Sequence, residues 1–71
     1  MLIEDFLERV KKLNIDDHVS IIKKEIPIAI CVMRTSSVRF KVFVIDDESA
    51  CSYSFTSKDA TYNKVLELLK Q

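Results

Sequence analysis

Apolar residues recur at every second position in three successive stretches of the chain, between residues 26 and 55. Such alternation predicts strands, because neighbouring side chains in a strand point to opposite faces of a sheet. The predicted strands cover residues 26–34, 38–45 and 49–55, with turns at Thr35-Ser36-Ser37 and Asp46-Asp47-Glu48. Pro27 has no amide hydrogen to donate, so we expect it at the start of its strand or at a sheet edge.

The alternation also assigns side chains to two faces of the predicted sheet. One face carries Ile26, Ile28, Ile30, Val32, Val38, Phe40, Val42, Val44, Cys51, Tyr53 and Phe55. The opposite face carries Pro27, Ala29, Cys31, Met33, Arg39, Lys41, Phe43, Ile45, Ser52 and Ser54. The first set is almost wholly apolar and predicts the core, whereas the second mixes apolar and polar groups.

Amphipathic helices are predicted on both sides of these strands. The N-terminal stripe at helical spacing consists of Leu2, Ile3, Phe6, Leu7, Val10 and Leu13. Asn14 is the residue expected to adopt the left-handed conformation that ends this helix. Thr56 and Asp59 have capping-box spacing, which predicts a second helix running to about Lys70. The residues that this helix is expected to bury are Tyr62, Val65, Leu66 and Leu69.

Residues 15–25 allow two interpretations. Asp16 or Asp17 could cap a short helix. The β-branched residues Val19, Ile21 and Ile22 instead favour a short strand at 18–22, which we prefer. The predicted fold is therefore a single α+β domain over residues 1–71, with an antiparallel meander of three or four strands between two helices that share one sheet face.

Composition excludes several function classes. The chain has 71 residues, with 11 basic and 11 acidic side chains and zero net charge. This balance argues against a protein that mainly grips a phosphate backbone, and it favours self-association. Glycine is absent, so glycine-rich phosphate loops and nucleophile elbows are excluded. No apolar run approaches the roughly 20 residues that span a membrane, and we expect a cytoplasmic protein with reduced thiols.

Candidate catalytic and metal-binding groups are sparse. His18 is the single histidine, and its acidic neighbours do not form a convincing relay. Cys31 and Cys51 lie mid-strand, where a small buried hydrophobe is the usual role of a thiol. Asp46-Asp47-Glu48 lacks the glycine and distant glutamate of an EF-hand, and no zinc-ligand spacing occurs. The sequence therefore predicts a non-enzymatic protein without cofactor or metal.

The opposite face, which mixes apolar and polar side chains, is the predicted contact surface. Two helices of about 12 residues can cover one face of the sheet more easily than both faces. The protein-contact candidates are Ala29, Cys31, Met33, Arg39, Lys41 and Phe43. Two other interpretations remain open: residues 15–25 fold over this face, or it is an ordinary solvent-facing surface. We expect a protein-interaction or regulatory module that contacts another protein or itself as a homodimer, with strand addition at a sheet edge as a second route. A small inhibitor or adaptor encoded by a virus or other mobile element is one form of this hypothesis.

The order helix, three-stranded meander, helix resembles that of double-stranded-RNA-binding domains. Residues 40–44 resemble the second strand of that family, and residues 57–60 resemble the start of its last helix. The resemblance implies RNA binding, for which the candidates are Arg34, Arg39, Lys41 and Lys58. The chain departs from the family where only Lys58 stands for the basic cluster and where residues 35–37 replace a loop bearing glycine, proline and histidine. Nucleic acid is therefore the alternative partner, behind protein.

Overall fold

The computed structural model describes residues 2–25 and 27–70. The elements in chain order are α1 (Ile3–Lys11), β1 (Asp17–Lys23), β2 (Ile28–Ser36), β3 (Arg39–Ile45), β4 (Ala50–Phe55) and α2 (Lys58–Leu69). The strands form one antiparallel sheet in the order β1-β2-β3-β4, which confirms the predicted fold in its four-stranded form. Pro27 directly precedes β2, as its missing amide hydrogen requires, and Ile26 lies outside the described residues.

Both helices pack on the same face of the sheet, as predicted. α1 lies against β1, α2 lies against β3 and β4, and the two helices contact each other. The core between these layers is apolar and consists of Phe6, Val10, Leu13, Val19, Ile21, Ile30, Val32, Val42, Val65, Leu68 and Leu69. The core residues contributed by β2 and β3, which are Ile30, Val32 and Val42, have the parity expected for the first face, so strand alternation selected the buried side of these strands correctly.

β1 resolves the ambiguity at residues 15–25. Its register against β2 is continuous from Asp17, opposite Arg34, to Lys23, opposite Ile28. Val19 and Ile21 enter the core, so β-branched side chains gain burial in a strand that a short helix would not provide. The preferred strand interpretation is confirmed.

The chain leaves α1 differently from the prediction. Asn14 was expected to take the left-handed conformation, but within residues 2–25 and 27–70 the only non-glycine residue with positive φ is Asp16, at 65°. The Asp16 amide donates to the Arg34 carbonyl at 2.7 Å, and the Asp17 amide donates to the Asn14 carbonyl at 3.1 Å. The left-handed residue therefore delivers the chain into β1, and aspartate tolerates this conformation better than most residues.

The turn between β2 and β3 also lies about two residues later in the sequence than predicted. β2 continues to Ser36 with a register irregularity after Arg34, and the turn lies at Ser37 and Val38. Val38 is exposed in this turn, so its predicted place on the buried face is wrong. The irregularity explains the error, because an extra residue in one strand breaks simple alternation.

The second helix begins after Ser57, one residue later than predicted. The Ser57 hydroxyl oxygen accepts a hydrogen bond from the Ala60 amide at 3.1 Å, so Ser57 is the N-cap in place of Thr56. The buried stripe of α2 also differs from the prediction. Val65 and Leu69 are buried as predicted, whereas Tyr62 and Leu66 are half-buried and Leu68 is buried.

We expect Ser57→Ala to lower the free energy of unfolding by about 1 kcal/mol, because the Ala60 amide loses its acceptor. Thermal unfolding followed by circular dichroism should show a fall in Tm of roughly 4–8 °C for a chain of this size. The matched control is Thr56→Ala, which should change Tm little. A larger effect at Thr56 than at Ser57 would contradict the assigned cap.

Candidate protein-contact surface

The sheet face that points away from the helices is called the open face. Antiparallel register aligns its side chains in three rows across the four strands. The row nearest the β2–β3 turn holds His18, Met33, Lys41 and Ser54. The middle row holds Ser20, Cys31, Phe43 and Ser52. The far row holds Ile22, Ala29, Ile45 and Ala50.

All six predicted contact residues lie together on the open face or at its rim. Cys31 is directly opposite Phe43, Met33 is opposite Lys41, and Arg39 is opposite Ser36 at the rim. The apolar members are half-buried, while the cations Arg39 and Lys41 are exposed. The half-buried residues are Ala29, Cys31, Met33 and Phe43. The alternative in which residues 15–25 fold over this face is wrong, because residues 17–23 form an edge strand within the sheet.

Two large apolar residues of the open face were not among the predicted contact residues. Ile22 is 70% exposed and Ile45 is 52% exposed. The parity of Ile45 already matched that of Phe43, so strand alternation alone could have found it. Ile22 could be assigned to the open face only from the register between β1 and β2, which sets Ile22 opposite Ala29. The far row is therefore the apolar end of the surface.

Charge divides the open face along the strands. The cations Arg39 and Lys41 lie at one end, and the far row at the other end is uncharged. No aspartate or glutamate occupies any of the three rows. A partner with an apolar centre and carboxylates towards the Lys41 end would therefore match this surface in shape and charge.

The Cys31 thiol sits in the middle row as a small apolar group. Burial raises the pKa of the Cys31 thiol above its ordinary value, because desolvation disfavours the thiolate. A thiol kept protonated is a poor nucleophile, so its surroundings favour a packing role. Cys51 is exposed on the other side of the sheet, and both cysteines are free.

The four nucleic-acid candidates are not gathered on one surface. Arg39 and Lys41 belong to the open-face side, and Lys58 is the first residue of α2. Arg34 lies on the helix-facing side of β2, where its guanidinium is 5.1 Å from the centroid of the Phe40 ring. That guanidinium donates to the carbonyls of Leu13 at 2.8 Å, Ser37 at 3.0 Å and Ser36 at 3.3 Å. Arg34 is thus held by its own chain.

The acidic triple forms a turn, as predicted. The Asp46 carboxylate accepts hydrogen bonds from the amides of Glu48 at 2.8 Å and Ser49 at 2.6 Å. These amide donors lower the pKa of Asp46 below its ordinary value. Within residues 2–25 and 27–70, no group of three or more His, Cys, Asp or Glu side chains is arranged to hold a metal ion.

Comparisons with known proteins give no independent identification. No protein-family model matches the chain, and neither a curated protein nor a solved structure is significantly similar to it. The resemblance to double-stranded-RNA-binding domains thus rests on element order and short motifs. β1 departs from that order, because four strands stand where the resemblance had three. Among the described residues, no helix is long and apolar enough to cross a membrane.

Proposed function

We propose that the protein is a non-enzymatic interaction module that docks another protein on its open face. The observation that carries the proposal is an apolar strip that crosses three strands, from Ile22 on β1 through Ala29 on β2 to Ile45 and Phe43 on β3. Ile22 and Ile45 are exposed, while Ala29 and Phe43 are half-buried. Contiguous apolar surface rimmed by polar groups is the usual character of a contact site. Removing this strip from water would supply the driving force for docking.

The chemistry of the surface suggests which residues dominate binding. Phe43 occupies the middle row on an inner strand, with Cys31 on one side and Ser52 on the other. Aromatic and arginine side chains are the commonest anchors of interfaces, so Phe43 and Arg39 are the proposed anchors. The partner is proposed to present an apolar centre and acidic side chains, because the exposed charges on the open-face side of β3 are the cations Arg39 and Lys41. Action in the cytosol, as a small inhibitor or adaptor, remains part of the proposal.

We expect the double substitution Met33→Asp and Phe43→Asp to weaken partner binding by at least about 100-fold, since it places two carboxylates in an apolar contact. Both side chains point away from the core, so circular dichroism should remain that of the wild-type fold. The matched control is Ile15→Asp with Val38→Asp, which makes the same chemical change at two exposed sites outside the three rows. This control should bind like the wild type.

The partner for this measurement can be found by placing a photo-crosslinking amino acid at Ser52, next to Phe43. The comparison position is Glu67, an exposed residue of α2 on the opposite side of the molecule. A protein crosslinked from position 52 only is then purified and titrated by calorimetry against each variant. Equal crosslinking from both positions, or wild-type affinity for the Met33/Phe43 variant, would refute the proposed surface.

Nucleic-acid binding is the second proposal, and the observation that favours it is the pairing of Arg39 and Lys41 at one end of a face without carboxylates in its rows. Counterion release would make such binding fall steeply as salt rises from about 50 to 200 mM. Substituting both cations with alanine should remove it, whereas Arg34→Ala should affect it only through stability. A gel-shift assay that shows no complex at about 50 mM salt with micromolar protein would exclude this function.

A further inference from the structure

β1 is an edge strand whose outer side pairs with no other strand of the described chain. It is seven residues long and regular, and its sequence, Asp-His-Val-Ser-Ile-Ile-Lys, contains neither proline nor bulge. Proteins normally protect an exposed edge by a bulge, a proline, charged side chains, a short strand or a covering segment, and β1 carries charged side chains only at its ends, Asp17 and Lys23. A long regular edge is therefore a surface on which a further strand can add.

The sequence of β1 is complementary to itself in the antiparallel direction. With Ser20 placed opposite Ser20 of a second copy, Asp17 falls opposite Lys23 of that copy, and Lys23 falls opposite its Asp17. The same alignment sets Val19 opposite Ile21 on the helix-facing side. We propose that two copies of this chain pair edge to edge through β1 in this register, joining two four-stranded sheets into one of eight strands.

Other registers lose this match. Sliding one strand by a single residue, so that Ser20 lies opposite Ile21, would turn the core-facing side chains of one copy to the open side of the other. Moving the centre to Val19 sets Asp17 opposite Ile21, and moving it to Ile21 sets Asp17 opposite Glu25. The Ser20 register is the one that pairs all seven residues and brings opposite charges together at both ends.

The charged residues at the ends of β1 have contacts within their own chain. The Lys23 ammonium donates to the Leu69 carbonyl at 2.6 Å, which holds it against the C-terminal end of α2. In the proposed dimer, the Asp17 carboxylate of the second copy approaches this same ammonium. Asp17 is exposed, and one of its oxygens accepts the His18 amide at 2.8 Å.

Exposed apolar groups at the same edge add a hydrophobic contribution. Ile22 would face His18 of the second copy on the open side, and each pairing would occur twice. Leu2, which is 71% exposed, and Ile3 border a groove beside Ile21 and Ile22 at this edge. β4, the other edge strand, carries no charged residue and offers no equivalent charge match.

A charge reversal tests the pairing in solution. Sedimentation of the wild-type chain is expected to show a species of twice 8.2 kDa. Asp17→Lys should weaken this dimer at least about tenfold, because it sets like charges opposite each other at both ends. Adding Lys23→Asp to the same chain should restore the wild-type dissociation constant. Asp47→Lys makes the same charge change in a distant turn and should leave the dimer unchanged.

A crosslink tests the register without relying on Lys23, whose loss also removes a bond to α2. In a chain with Cys31→Ser and Cys51→Ser, Ser20→Cys should form a disulfide-linked dimer on mild oxidation, because directly opposite Cβ atoms lie about 4.5–5.5 Å apart. Ser54→Cys in the same background should remain monomeric. A wild-type chain that stays monomeric up to about millimolar concentration, or a Ser20 variant that crosslinks no faster than the Ser54 variant, would overturn the proposal.

The inference stands apart from the proposed function of the open face. The Met33/Phe43 variant should lose its partner and keep the β1 dimer, whereas the Asp17 variant should lose the dimer. Loss of the dimer in the Met33/Phe43 variant, with no effect of Asp17→Lys, would show that copies associate through the open face and would overturn the edge-to-edge pairing.

Discussion

Replacing Phe6 with alanine is expected to lower the free energy of unfolding by about 3–5 kcal/mol. The Phe6 side chain is 0% exposed and is one of the α1 residues that enter the core. A chain of 71 residues has a total stability of only about 4–10 kcal/mol, so this single truncation removes a large share of it. Urea unfolding followed by circular dichroism should show a much lower midpoint, or no folded baseline at room temperature.

Two control variants separate the cavity from a general effect of substitution. Phe6→Leu keeps most of the buried volume and should cost less than half as much as Phe6→Ala. Ile15→Ala removes apolar atoms from an exposed turn residue and should change the free energy of unfolding by less than about 0.5 kcal/mol. A Phe6→Ala protein within about 1 kcal/mol of the wild type would contradict the described core.

Arg34→Ala is expected to cost about 2–3 kcal/mol. The Arg34 guanidinium donates to the carbonyl of Leu13, just after α1, and to the carbonyls of Ser36 and Ser37, at the end of β2 and in the turn that follows. It also lies beside the Phe40 ring. A hydrogen bond to a charged group contributes about 1.5–3 kcal/mol, but the three bonds share one side chain and are partly exposed, so they do not add. Denaturant unfolding should therefore show a clear fall in midpoint.

The guanidinium geometry makes this prediction specific. Arg34→Lys keeps the positive charge but cannot donate in three directions from one plane, so it should recover only part of the loss. Arg39→Ala removes an exposed arginine five residues later and should change stability by less than about 0.5 kcal/mol. Equal effects of Arg34→Ala and Arg39→Ala would contradict the assigned structural role.

The parts of the fold that depend on local periodicity could be predicted from the sequence. Alternation identified β2, β3 and β4 and their buried sides, and β-branched composition favoured β1. The predictions were wrong at positions where two nearby residues could both take the same structural role. Asp16 took the left-handed position expected of Asn14, and Ser57 took the cap expected of Thr56. The position of Asp16 depends on a long-range contact, the hydrogen bond of its amide to the Arg34 carbonyl. Thr56 and Ser57 carry the same capping group, so local sequence does not distinguish them.

The candidate surface was predictable wherever it lies on a single strand. Met33 and Phe43 could be assigned from the parity of β2 and β3, and the same parity places Arg34 with Ile30 and Val32 on the helix side. The predicted nucleic-acid set nevertheless combines Arg34 with Arg39, although the two residues lie on opposite sides of the sheet. Ile22 required the register between β1 and β2, which is a property of two distant segments.

The order of the strands in the sheet also affects how the chain folds. Each strand is bonded to the one that precedes or follows it in the sequence, with loops of only a few residues between β2, β3 and β4. Such loops cost little chain entropy to close, so the sheet can grow by successive local steps. The meeting of α1 with α2 joins the two most distant segments of the chain. The contact between the two helices is therefore the one whose closure costs the most chain entropy.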